Sequence, residues 1–144
     1  MSISRLVLEQ VEKRLPKVMD ARRHGAIDYL HAAFFLGMAL AYRRRRPRVA
    51  VAAAVTGGFL LTEAVLTDYP MGMKKVIPFE VHGRIDGSAA LASLSLPRIL
   101  AIEGTAAAAL FKGSGIFGAT MVGLTDYNSE RARAEREWGR AEAA

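Results

Sequence analysis

The segment HGAIDYL at 24–30 returns as HGRIDGS at 82–88, 58 positions further on, and TDY at 67–69 returns at 125–127 with the same offset. No gap is needed between the two matches. The offset also superposes Leu36 on Leu94, Gly57 on Gly115, Phe59 on Phe117, Thr62 on Thr120 and Leu66 on Leu124. A fixed period with matching ends is the mark of a duplicated unit. The chain therefore reads as two copies of one element, 24–69 and 82–127, within a single domain spanning 1–144.

Hydropathy says what that element is. From Ala26 to Tyr42 the chain is apolar apart from Asp28 and His31, and from Val49 to Leu66 only threonines and Glu63 interrupt it. These runs of 17 and 18 residues approach the roughly 17–25 that a helix needs to cross a bilayer. RRRRPR at 43–48 separates them as a tight loop, so each copy reads as a helical hairpin. A third helix is expected from about His82 to Pro97, and a fourth ending at Leu124. The polar stretch 67–81, with two prolines and a glycine, reads as an interfacial loop. The expected fold is all-α: an integral membrane four-helix bundle of two parallel hairpin repeats.

The termini are basic or charged. Residues 1–23 form a basic segment, in which Ile3, Leu6, Val7, Val11 and Leu15 recur at helical spacing, as in an amphipathic helix lying on a membrane surface. Residues 128–144 form a charged tail with Arg131 and Glu135, and Arg133 and Glu137, four apart. Twenty basic residues face fourteen acidic ones. Their clusters, including Arg22, Arg23, Arg43, Arg44, Arg45 and Arg46, suit anionic lipid headgroups. No nucleic-acid-binding motif surrounds them, so nucleic acid is not an expected partner.

Two crossings per copy return the chain to the side it left. His24, Asp28, Asp68, Tyr69, His82, Asp86, Asp126 and Tyr127 are therefore expected on one face. Twelve Lys or Arg belong to that side and six to the other, which by the positive-inside rule makes both termini cytoplasmic.

An H-x-x-[LI]-D helix start, a helix ending in Ser and Pro, and a second helix with a threonine-containing end resemble the SPW-repeat small integral membrane proteins. SLPR at 95–98 stands where that family has Ser-Pro-Trp. The resemblance implies a two-helix repeat and a bacterial inner membrane. It implies no activity.

Three functional readings follow. In the leading one the chain is a non-enzymatic accessory or structural subunit of a membrane assembly, and the doubled aspartates sit in first helical turns as favourable partners of the helix N-terminus. Small residues at Ala50, Ala54, Gly58 and Thr62, and at Gly115, Ala119 and Gly123, would then line hairpin contacts, a homodimer seam or the contact with a larger complex. In the second reading the doubled His/Asp face handles protons or ions. In the third, His24, Asp28, His31 and Glu63, drawn from the first copy alone, hold a divalent metal, or the chain carries haem; no cofactor is required by the first reading. The absence of cysteine removes thiolate ligation and disulfides from all three. P-loop, HExxH and GxSxG patterns are absent as well, and the glycines of GSGIFG at 113–118 fall inside an apolar run with no strand before them, so no enzyme class is indicated.

Overall fold

A computed structural model of the chain describes residues 16–129. The amphipathic helix expected at 3–15 and the tail beyond Ser129 lie outside the described residues. Within them run four helices: α1, Ala21–Tyr42; α2, Pro47–Leu66; α3, Phe79–Ile99; and α4, Ala106–Leu124. The two-residue strands β1, Thr67–Asp68, and β2, Ile77–Pro78, pair in parallel.

Local chemistry sets these boundaries. The Asp20 carboxylate accepts the Arg23 N–H at 2.8 Å and caps α1. Pro47 occupies the first turn of α2, where a missing N–H costs nothing, and it holds Arg46 outside the helical region at φ −145°. The Thr105 hydroxyl accepts the Ala108 N–H to start α4. Just before it the chain reverses through Ala101 and Gly104, both at positive φ. α1 thus begins five residues earlier than the expected Ala26, and α3 three residues earlier than His82. Asp28 and Asp86 are each the eighth residue of their helix, beyond the first turn where the N-terminal dipole acts. Helix-end electrostatics do not account for them.

α1 packs along α2, and α3 along α4. The pairs meet through larger side chains: Phe35 and Phe111 lie 5.5 Å apart between ring centroids, and Met38, Val49, Ala53, Leu60, Ile102 and Ala107 complete the core. Three of the four helices, α1, α2 and α4, are long and apolar enough to cross a membrane. α3 is not among them, a departure from the four apolar crossings expected. It carries His82 and Asp86 inward and Glu80, Arg84 and Arg98 on exposed positions towards its ends. Leu30, Leu40, Val51, Val55, Leu91, Ile99 and Ile116 face outward with most of their surface uncovered, as lipid-facing positions do. The arginines at 22, 23, 43, 44, 45 and 46 are all exposed.

The small-residue contacts fall one register away from the expected stripe. Ala54 and Thr62 are exposed, and a methyl group at Gly58 would meet nothing within 4 Å. The buried line on α2 is instead Ala50, Ala53, Gly57, Leu60 and Ala64. A Cβ at Gly57 would lie 3.0 Å from the Leu36 backbone nitrogen, so a larger residue would press α1 away from this close approach. On α4, Gly115 does fit the expectation, with its would-be Cβ 2.7 Å from the Ala90 carbonyl oxygen, whereas Ala119 is exposed and Gly123 half-buried. The neighbours Ala107, Ala108, Phe111 and Ser114 are the other buried positions of that helix.

Candidate metal centre

α1 and α3 each carry His and Asp four residues apart, which puts both side chains on one helix face. The bundle turns these faces toward each other. The His24 and His82 Nε2 atoms lie 3.2 Å apart. His24 Nε2 is 2.9 Å from Asp86 Oδ2 and 3.4 Å from Asp28 Oδ1. His82 Nε2 is 3.2 Å from Asp86 Oδ2 and 3.3 Å from Asp28 Oδ2. Ligand atoms from all four residues fall within 4.8 Å of one another.

Threonines fix the imidazoles from behind. The Thr125 hydroxyl donates to the Met121 carbonyl at 2.6 Å, so its oxygen is left to accept the Nδ1–H of His24 at 2.7 Å. The Thr67 hydroxyl donates to the Glu63 carbonyl at 2.7 Å and accepts the Nδ1–H of His82 at 2.8 Å. With Nδ1 of both rings held by a threonine, Nε2 is the ring atom each histidine turns to the shared point, where it presents a lone pair whenever the ring is neutral. The support is crossed: the histidine of α1 rests on the threonine after α4, and the histidine of α3 on the threonine after α2. Short parallel backbone pairings place those threonines, Thr67 with Ile77 and Thr125 with Met19.

Two tyrosines close the site. The Tyr69 hydroxyl donates to Asp28 Oδ2 at 3.0 Å, and its ring packs so tightly on Gly25 that a Cβ there would stand 2.7 Å away. Tyr127 covers Gly83 in the same manner, at 2.5 Å, and Phe79 lies edge-on to His24 and against both tyrosines. Burial first, and the Asp28 carboxylate second, push the Tyr69 phenol above its ordinary range. Burial and the charge of Asp86 do the same to Tyr127. Both hydroxyls therefore stay protonated; that of Tyr69 donates to Asp28, and that of Tyr127 has no hydrogen-bond partner among the described residues.

Of the eight polar residues expected on one face, His24, Asp28, Tyr69, His82, Asp86 and Tyr127 come together. Asp68 does not: it is exposed beside Lys75, 3.5 Å away. Asp126 turns away as well, accepting the Asn128 N–H at 3.1 Å. The ligand set expected from the first copy alone, His24, Asp28, His31 and Glu63, is divided. His31 bonds Ser114 at 2.6 Å between Phe35 and Phe117, one helical turn below. Glu63 is buried behind His82, with Oε1 3.3 Å from Nδ1, on the side of the ring away from Nε2. Neither Glu63 carboxylate oxygen has a hydrogen-bond partner among the described residues. Thr67, Thr125, Gly25 and Gly83 were not singled out by sequence, although all four belong to the repeated HG and TDY strings.

Compared with known protein families, curated proteins and solved structures, the chain matches none.

Proposed function

We propose that this is a multi-pass membrane protein, built from two copies of a helical hairpin, that holds one divalent transition-metal ion where the copies meet. The single observation that carries the reading is the convergence of two imidazole Nε2 atoms and two carboxylates on one buried point. A regular tetrahedron of ligands around a metal at about 2.05 Å has edges of about 3.3 Å. The five separations from the imidazole nitrogens run from 2.9 to 3.4 Å, with Asp28 offering Oδ1 to His24 and Oδ2 to His82, while one ligand atom from each of the four residues falls within 4.8 Å of the others. Bonds of that length to both nitrogens would subtend about 103° at the metal, near the tetrahedral angle. Zinc, iron and manganese suit such an imidazole–carboxylate set.

Support extends past the ligands. Metal-bound histidines ordinarily donate their other N–H to a fixed acceptor, which sets the tautomer, and Thr67 and Thr125 supply it. Haem fits less well, because axial ligation needs the two imidazoles on opposite sides of the iron, not at about 103°. The duplication reading is supported by α3 starting 58 residues after α1, and α4 ending 58 after α2. On that reading the four ligands are two equivalent pairs, and the resemblance to SPW-repeat proteins lies in their shared two-helix unit. The ion then acts first as a clamp between hairpins, consistent with an accessory or structural subunit in a bacterial inner membrane with both termini cytoplasmic.

Metal titration of detergent-purified, chelator-stripped protein tests this. One equivalent of Zn²⁺ or Co²⁺ should bind to the wild type and none tightly to Asp28→Asn/Asp86→Asn. Equal binding by the two, or none by the wild type, contradicts the proposal.

A further inference from the structure

The two sides of the His/Asp cluster differ. On the imidazole side, Tyr69, Phe79 and Tyr127 seal it. On the carboxylate side, Asp28 and Asp86 line a cavity of about 30 Å³ that extends into the bundle between all four helices. A single water needs roughly 10–15 Å³ of such space together with polar partners. The cavity offers both: besides the two aspartates it is lined by His31, Ser114, Ser93 and Thr56. His31 and Ser114 are joined at 2.6 Å on α1 and α4, while Ser93 is buried on α3.

The space has an identifiable origin. The position 58 residues after His31 is Ala89, which also lines the cavity. One half contributes an imidazole where the other contributes a methyl group, and the missing volume lies directly beneath the carboxylates. Packed interiors keep few voids, and apolar bundles fill them with side chains. Here a small residue leaves the space open, and three hydroxyls set polar groups into a lining that is otherwise largely apolar.

We propose that the metal keeps a coordination position open toward this cavity, and that the position takes a small exogenous donor, water in the resting state and exchangeable for an anion of azide size. The ion then gains a fifth ligand on the side where Asp28 and Asp86 face the His31–Ser114 pair, an expansion that zinc-like centres with an accessible position undergo. A bound water there has acceptors on the carboxylates and polar neighbours on all four helices. The inference rests on the metal reading above.

Cobalt separates the two. Chelator-stripped protein loaded with one equivalent of Co²⁺ should show visible d–d bands, and added azide should shift them saturably. In Ala89→Leu, which fills the cavity and replaces none of the four ligands, Co²⁺ should still bind while the azide response is lost. If Ala89→Leu fails to fold, the smaller Ala89→Val should retain cobalt and weaken the azide response. Cobalt bands that ignore azide in the wild type overturn the open position while leaving the metal site standing. An undiminished azide response in the filled variants overturns its location. No cobalt binding by the wild type overturns the metal reading and this inference with it.

Discussion

Replacing Thr125 by valine keeps the side-chain volume and removes one oxygen. That oxygen is fully buried, accepts the His24 Nδ1–H at 2.7 Å, and has its own proton committed to Met121. His24 is 2% exposed, so water cannot replace the lost acceptor. An N–H stranded in this way costs about 1–3 kcal/mol. Removing a partner of a metal-bound histidine weakens metal affinity by about 10–100-fold, and that range equals about 1.4–2.7 kcal/mol. The two estimates agree. Thr125→Val should therefore raise the metal Kd by about one to two orders of magnitude, measured by competition against a chromophoric chelator on detergent-purified protein. Thr67→Val should do the same through His82, whose Nδ1 it accepts at 2.8 Å. The control is Thr120→Val, an exposed threonine that makes the same back-bond to its own helix at Ile116, 2.8 Å, but supports no histidine. Affinities within twofold of the control for both Thr67→Val and Thr125→Val would refute the crossed support.

Further outcomes follow from packing and linkage. Gly57→Ala should destabilise the bundle by about 1–3 kcal/mol, because its methyl would press on Leu36 and the Ala32 carbonyl. Gly58→Ala, with open space beside it, should be neutral or gain up to about 1 kcal/mol of helix propensity, and thermal unfolding in detergent distinguishes the pair. Gly83→Ala should displace the Tyr127 ring, seen as a change in near-ultraviolet circular dichroism, whereas Gly87→Ala meets nothing and should leave the spectrum unchanged. Metal at 100 times its Kd should stabilise the wild type by about 2.7 kcal/mol over the chelator-treated form. Asp86→Asn should lose most of that gain, and an equal gain in this variant would show that the ion binds elsewhere.

The helical class was legible because the apolar runs at 26–42 and 49–66 are continuous and of near-helical spanning length, where a membrane barrel strand would be shorter and alternating. The proximity of the two HGxID strings was legible from the common offset. What could not be read was which helices face one another. Histidine spacing within one helix says which face it occupies, but not that the facing helix is α3 and not α2. Hence His31 and Glu63 stood as ligands on periodicity, while His82 and Asp86 complete the cluster. The small-residue stripe was misplaced for a related reason: Ala50, Ala54, Gly58 and Thr62 differ by a fraction of a turn from Ala53, Gly57, Leu60 and Ala64, and both rows are apolar enough. Only contact with Leu36 and Ala32 tells them apart. Thr67 and Thr125 were visible in the doubled TDY, yet a hydroxyl at a helix end reads as a cap until an imidazole is found on it.

X-ray absorption at the zinc edge, on protein loaded with one equivalent of Zn²⁺, bears most directly on the shared centre. The account predicts a first shell of nitrogen and oxygen at about 2.0–2.1 Å with outer-shell scattering from two imidazole rings, one from His24 and one from His82, falling to a single ring in His82→Ala. A shell made only of oxygen, or one imidazole in the wild type, would contradict it.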